Sequence, residues 1–377
     1  VDLHDQFDKS LGEVLDDEVT VLASGRVAAR FRQLDVEVDD AAPEGLAQAL
    51  FSRLRAGGAG PPDPSPNIVR ALGWRALEPP DVTAVQRLGP SPSAADVIRN
   101  ALAASVARLI AHDPGVRLGD DPEDVHQARV ATRRLRSDLR TFHTLLDPDW
   151  TDSLRRDLKS VGHDLGAVRD TEVLLDRLRA HAERLPAADQ GVARKIIQRL
   201  LQRWDGARAE LRETLGSTQY AELLDRLVEA AREPALVPSA AHDRAAEALP
   251  PLVNKPWKKL RTGVEELPDD PSDEELHHIR IKAKRCRYAA EAVAPAVGKR
   301  ARAFAKAIAD LQGVLGEHQD AVVAEQWLRE VAGSSMGREV FVAGQLATLE
   351  RVEIERTRAE WGEVWKTASK KKLHQWL

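Results

Sequence analysis

One cationic segment occurs twice in this chain. Val125-His126-Gln127-Ala128-Arg129-Val130-Ala131-Thr132-Arg133-Arg134-Leu135-Arg136 is echoed by Leu276-His277-His278-Ile279-Arg280-Ile281-Lys282-Ala283-Lys284-Arg285-Cys286-Arg287. His, Arg, Arg or Lys, Arg and Arg fall at identical offsets in the two. Downstream, Leu165-Gly166-Ala167-Val168-Arg169-Asp170 is matched by Leu315-Gly316-Glu317-His318-Gln319-Asp320, at an offset that differs by one residue. Such self-similarity means that one supersecondary unit has been used twice. The spacing names the unit. His126, Arg129, Arg133, Arg136 and Arg140 follow one another by three and four residues, a single stripe along an α-helix, and His277, Arg280, Lys284 and Arg287 repeat it.

The rest of the sequence supplies the helices such a repeat needs. Ala, Leu and Arg are abundant and aromatics make up only 4% of the 377 residues, a balance that favours helix over β-sandwich. From Ser93 onward almost everything reads as helix. Ser93 caps a helix to about Ala111, and Asp121-Pro122-Glu123 opens one to about Leu146, with proline where its missing N–H does no harm. Further helices are expected over about 150–165, 170–184, 189–214 and 217–232. A second set covers about 242–263, 273–293, 299–315, 320–332 and 336–372. On this reading Asp170 and Asp320 cap the helices that follow them. Short loops between long amphipathic helices imply antiparallel bundles.

The first residues differ. Residues 17–22 and Val27–Val38 read as two strands joined by a Ser24-Gly25 turn, the second with Phe31, Gln33, Asp35 and Glu37 on one face and Leu34, Val36 and Val38 in the apolar role. A short amphipathic helix over 43–55 stops at Ala56-Gly57-Gly58-Ala59-Gly60-Pro61-Pro62. The expected organisation is 1–77, a linker over 78–92, and helical halves over 93–240 and 241–377.

Charge limits the function. A net charge of −5 gives no overall field to draw in an anion, so an anion site must come from local clustering. The single cysteine, Cys286, excludes a disulfide framework and a Cys-based zinc site, and it fits a reducing compartment. No signal peptide and no apolar run of membrane-spanning length is evident, so a cytoplasmic protein without a membrane partner is the expectation. Val1 in place of Met points to a processed, truncated or engineered piece.

Like charges stacked at i,i+4 repel by a few tenths of a kcal/mol per pair. The first stripe contains no acid, and the second meets Glu291 only at its end. One such stripe is usually a solvated face. Two that match position by position favour a bound anion that offsets the repulsion, and arginine grips phosphate oxygens bidentately. His126 and His277, near helix N-termini, either donate to a phosphate or are buried structural histidines. Secondary basic positions are Arg156 and Lys159, with Lys306 the second-half counterpart of Arg156. Single-strand nucleic-acid binders interleave aromatics with cations so that bases can stack. Here only Phe142 and Tyr288 stand at the margins of the stripes, which favours a ligand with phosphates and no bases.

At these residues the chain resembles the CHAD family, the conserved histidine α-helical domain, over about residues 92–377. The two His-x-x-Arg-x-x-x-basic-Arg-x-Arg segments and the Leu-Gly-x-x-x-Asp turns carry the likeness. The resemblance implies a mainly α fold of two pseudo-symmetric four-helix bundles with a basic groove between them that binds inorganic polyphosphate, and an association with polyphosphate granules. The residues it implicates are His126, Arg129, Arg133, Arg134 and Arg136, then His277, Arg280, Lys284, Arg285 and Arg287. Lys284 stands where the first half has Arg133, keeping the charge and losing the fork. Phe31-Arg32-Gln33-Leu34-Asp35-Val36-Glu37-Val38 resembles a late acidic strand of the CYTH domain, the triphosphate tunnel fold that commonly precedes CHAD. Gln33 stands where an acid is expected, and no Glu-x-Glu-x-Lys signature precedes it.

The expected function is therefore non-catalytic binding of inorganic polyphosphate, with no catalytic residue, metal or cofactor. The alternative is a remnant or subunit-completed CYTH-type metal-dependent inorganic triphosphatase. A third possibility is a helical scaffold whose basic faces meet acidic protein partners.

Overall fold

The computed structural model describes residues 1–23, 26–40, 42–78, 81–82, 84–119, 121–238 and 243–377. The expected Ser24-Gly25 turn, the half-to-half boundary at 240 and the start of the second helix set at 242 lie outside them. The chain divides into two units, residues 1–80 and 81–377.

In the first unit the strands are β1 (Asp2–His4), β2 (Ser10–Ala23) and β3 (Arg26–Val38), an antiparallel sheet in the order β1-β2-β3. The β2 strand is longer than the sequence suggested and β1 was not anticipated. Gly12 fits its place in β2 because it has φ 139°, and a Cβ there would stand 2.1 Å from the Glu37 carbonyl oxygen. Two helices follow, α1 (Leu46–Ala56) and α2 (Asn67–Leu72), and then a 3₁₀ turn over Gly73–Leu77. No described residue of this unit is fully buried. The Arg70 guanidinium lies 4.4 Å from the centre of the Phe31 ring and donates to Gln33 at 3.1 Å.

The second unit is helical. Its first half contains α3 (Ala94–Leu118), α4 (Pro122–Thr141), α5 (Pro148–Glu183), α6 (Ala187–Gly216) and α7 (Thr218–Arg232). Its second half contains α8 (Ala245–Ala248), α9 (Pro250–Glu265), α10 (Asp273–Val297), α11 (Lys299–Gly333), α12 (Arg338–Ala368) and α13 (Lys371–His374). Ser93 and Ser272 begin α3 and α10 with capping boxes, receiving the backbone N–H of Asp96 and Glu275 while those carboxylates reach back. Asp121 caps α4 and Asp147 caps α5, each with proline next.

Two expected breaks are absent. The Leu-Gly-x-x-x-Asp segments lie inside α5 and α11, which run unbroken, so Asp170 and Asp320 cap nothing. Glycine in a helix interior costs up to about 1 kcal/mol, yet the buried rows Leu165, Val168, Thr171 and Leu315, His318, Ala321 keep the helical period across both sites, and packing overrides the propensity. Smaller corrections concern ends. The α3 helix continues past Ala111 with Pro114 inside it, α4 stops at Thr141 before a 3₁₀ turn over His143–Leu145, and Leu249 separates α8 from α9.

At 1.5 Å per residue, α5 and α11 are each about 53 Å long and outreach the helices beside them. Two cores result. The larger takes Ile98, Leu102, Leu135, Leu139, Phe142 and Leu158 from the first half and Trp257, Ile279, Cys286, Phe304 and Leu311 from the second. The smaller is a four-helix core of the distal hairpins, with Leu178 of α5, Ile196 and Leu200 of α6, Leu328 of α11 and Leu346 of α12. Pairing the halves in this way brings α4 against α10, the two helices that carry the stripes.

Candidate functional site

The inner face of α4 buries Val125, Ala128, Ala131, Leu135 and Leu139, and that of α10 buries Leu276, Ile279, Ala283, Cys286 and Ala290. Burying those rows fixes the rotation of each helix and so directs the polar stripes. Small residues let the backbones approach. A Cβ at Gly162 of α5 would stand 3.3 Å from the Thr132 methyl. Built at Gly166 it would stand 3.9 Å from Nε of Arg129, and at Gly316 it would stand 3.9 Å from Nε of Arg280. Both repeated arginines thus lie across a glycine of the following helix.

Cations of the two stripes share one neighbourhood. Burial, then the charges of Arg133, Arg280 and Arg129, push the Lys284 ammonium down to about 7, against the pull of Asp170. Burial lowers Arg133, and Arg129 and Arg287 add to the effect. Burial lowers Arg140, with Arg285 of α10, Arg155 of α5 and Arg136 adding repulsion. Arg136 is lowered by burial and by Arg155. His126 is lowered by burial and by Arg169, Arg133 and Arg129. Cations held this close destabilise one another's charged forms.

Their partners divide them. Arg129 reaches Asp170 at 2.8 Å. Arg134 is tied to Glu291 of α10 and lies 3.6 Å from Asp138. Arg287 donates to Glu291 at 2.7 Å and to Gln312 at 3.4 Å. Lys306 is exposed and bonds Asp310 one turn along its own helix. Arg156 and Lys159 are exposed on α5. For Arg133, Arg136, Arg140, Arg280, Lys284 and Arg285 no carboxylate partner exists among the described residues. Among the described residues, Nε of Arg133 and Nε of Arg280 are buried donors with no hydrogen-bond partner, and Nδ1 of His277, donor or acceptor according to its tautomer, is likewise buried and unpartnered.

Several residues of the site escaped the sequence reading. Tyr288 is no marginal aromatic. It is 6% exposed, and the guanidiniums of Arg133, Arg134 and Arg287 lie 5.6–5.7 Å from its ring centre. Its position directly after Arg287 was the one available signal. Asp138, 1% exposed, has its carboxyl pushed up to about 7 by burial, against the pull of Arg134 and with the push of Glu291. His318, in the second echo, is a structural histidine. It is buried and bridges Asp273 of α10 and Thr357 of α12 at 3.1 Å each.

No described helix is long and apolar enough to cross a membrane. The family model for the CHAD domain matches residues 100–329. Two uncharacterised proteins of Mycobacterium tuberculosis, from strains CDC 1551 and H37Rv, are each 32% identical over 386 aligned positions, covering 93% of this chain and 70% of theirs. Among solved structures, PptA from Streptomyces chartreusis superposes with TM-score 0.60 at 25% identity, over 73% of this chain and all of that one. The CHAD domain from the plant Ricinus communis gives 0.55 at 25% identity, over 77% and 95%. The repeated stripes, the helical unit that carries them and these matches agree, and the chain belongs to the CHAD domain family.

Proposed function

We propose that the chain binds inorganic polyphosphate along the facing stripes of α4 and α10, as a binding module and not as an enzyme. The observation that carries this reading is the set of buried nitrogens on Arg133, Arg280 and His277 that have no partner among the described residues, contributed by both halves. A buried donor without an acceptor costs about 1–3 kcal/mol, and phosphate oxygens would remove that cost at both arginines, and at His277 when Nδ1 carries the proton. The same anion would relieve the mutual repulsion that depresses Lys284, Arg133 and Arg140. Membership of the CHAD family supports the reading. Nucleic acid fits less well, because stacking needs an open aromatic face and the Tyr288 ring is enclosed. Association with polyphosphate granules would follow from the same contacts.

The test is retention of long-chain polyphosphate as salt is raised. Each phosphate neutralised contributes about 0.7 to the log–log salt slope in a flexible single strand. The double reversal R133E/R136E is expected to abolish retention and R280A to lower the slope by about 0.7. Unchanged retention by R133E/R136E would remove the case.

A further inference from the structure

Between α3, α4 and α10 lies a cavity of about 430 Å³ that the stripes by themselves do not explain. Its lining includes three cations of the proposed site, Arg133, Arg134 and Arg287, together with Asp138 and with Glu291, which bonds Arg134 and Arg287. The Asp138 carboxylate is 1% exposed, and its Oδ1 has no hydrogen-bond partner among the described residues, while Arg134 lies 3.6 Å from Oδ2. A buried carboxylate oxygen left open in a cavity that guanidiniums line is an odd feature in a site for a fully ionised anion. It would face phosphate oxygens and repel them. It suits an anion that brings one proton of its own.

A linear polyphosphate has such a group only at its ends. Internal phosphoryl groups each hold one strongly acidic oxygen and carry no proton near neutral pH. A terminal group keeps a second ionisation at about 6, as monosubstituted phosphates do. We propose that the cavity receives the terminal phosphate of a polyphosphate chain, its P–OH donating to Asp138 Oδ1. Its other oxygens are taken by Arg133, which has no carboxylate partner among the described residues, and by the remaining N–H groups of Arg134 and Arg287, both also bonded to Glu291. The proposal rests on the polyphosphate reading above and adds recognition of the chain end to it. Arg133 links the two, since it borders the cavity and also belongs to the stripe. A carboxyl that burial already holds up near neutrality shares a proton with such a phosphate readily. Orthophosphate carries the same P–OH chemistry, so the test must separate a chain end from the free ion.

The experiment compares linear tripolyphosphate, cyclic trimetaphosphate, orthophosphate and long-chain polyphosphate by calorimetry at pH 7, on the whole chain and on its D138L and D138N variants. The linear compound is expected to bind more tightly than the cyclic one, which has no end. In D138L its affinity should fall about tenfold, the size of one charge-assisted hydrogen bond, while that of the cyclic compound does not fall. The sign is decisive, because a carboxylate that merely repelled anions would give tighter binding of the linear compound once removed. D138N preserves the shape and guards against loss of folding, and its affinity for the linear compound should fall between those of wild type and D138L. Equal affinity for linear and cyclic compounds, or tighter linear binding by D138L, overturns end recognition and leaves the stripe reading standing. So does orthophosphate that binds with the same Asp138 dependence but is not displaced by tripolyphosphate. If long-chain polyphosphate itself fails to bind, both proposals fall.

Discussion

Gly166 of α5 lies beneath the guanidinium of Arg129, so close that an added methyl would stand 3.9 Å from both Nε and Nη2, and Gly316 holds the same relation to Nε of Arg280. The glycine that reads as a helix break is a seat for an arginine. At 3.9 Å an alanine fits in ordinary contact, whereas a larger side chain must move the guanidinium. G166A is therefore expected to stabilise the protein by about 0.5–1 kcal/mol, the usual gain over glycine inside a helix. G166L should separate Arg129 from Asp170 and lower the polyphosphate salt slope by about 0.7. Thermal melts and salt titrations of the two variants check this.

Lys284 predicts a pH dependence. Its folded value is pushed down to about 7 from 10.5 by burial and by Arg133, Arg280 and Arg129. Below about pH 7 the ammonium is charged in the folded and unfolded chains alike. Between about 7 and 10.5 the unfolded chain binds more protons, so stability should rise with pH across that window. K284M should flatten the rise in urea denaturation series at pH 7, 8 and 9. A bound polyanion should restore the charge, and calorimetry in buffers of different ionisation enthalpy should detect proton uptake at pH 8 that K284M lacks.

Glu291 holds the two stripe helices together at one end. It accepts from Arg287 of its own helix and from Arg134 of α4. Removing it in E291A leaves Arg134 with Asp138 at 3.6 Å and Arg287 with Gln312 at 3.4 Å, and the expected cost is about 1–3 kcal/mol. E291Q, which keeps an acceptor, should lose less. Denaturant midpoints at matched salt compare them.

In the distal core, Glu350 is 0% exposed and takes a hydrogen bond from Arg177 of α5 at 2.6 Å, with His181 at 3.0 Å. Arg177 also reaches Glu317 of α11 at 3.2 Å. Breaking one side of a buried pair strands the other charge. E350A should therefore destabilise the protein by about 3–5 kcal/mol. E350A combined with R177M should recover part of that loss, and equilibrium unfolding of the single and double variants measures the recovery.

The mainly helical fold, the duplication and the composition of the two stripes were legible in the order of residues. These depend on local rules: three-and-four spacing places residues on one face, Ser93 and Ser272 begin helices by capping, and a repeated segment folds the same way twice. Local rules also misled, since Gly166 and Gly316 weaken a helix in isolation, and only burial against neighbouring helices keeps α5 and α11 whole. Arg287 meets Glu291 one turn along its own helix. Which of the remaining cations find a carboxylate depends on packing between helices. Arg134 reaches Glu291 because packing sets α4 against α10, and Arg129 reaches Asp170 because that residue sits on the next helix, while Arg133, Arg280 and Lys284 have no carboxylate partner among the described residues. For Arg134 with Glu291 and Arg129 with Asp170 the partner is set by distance in space, across separations in sequence that no spacing rule encodes. The same reason explains why Tyr288 and Asp138, unremarkable in the sequence, stand at the centre of the candidate site.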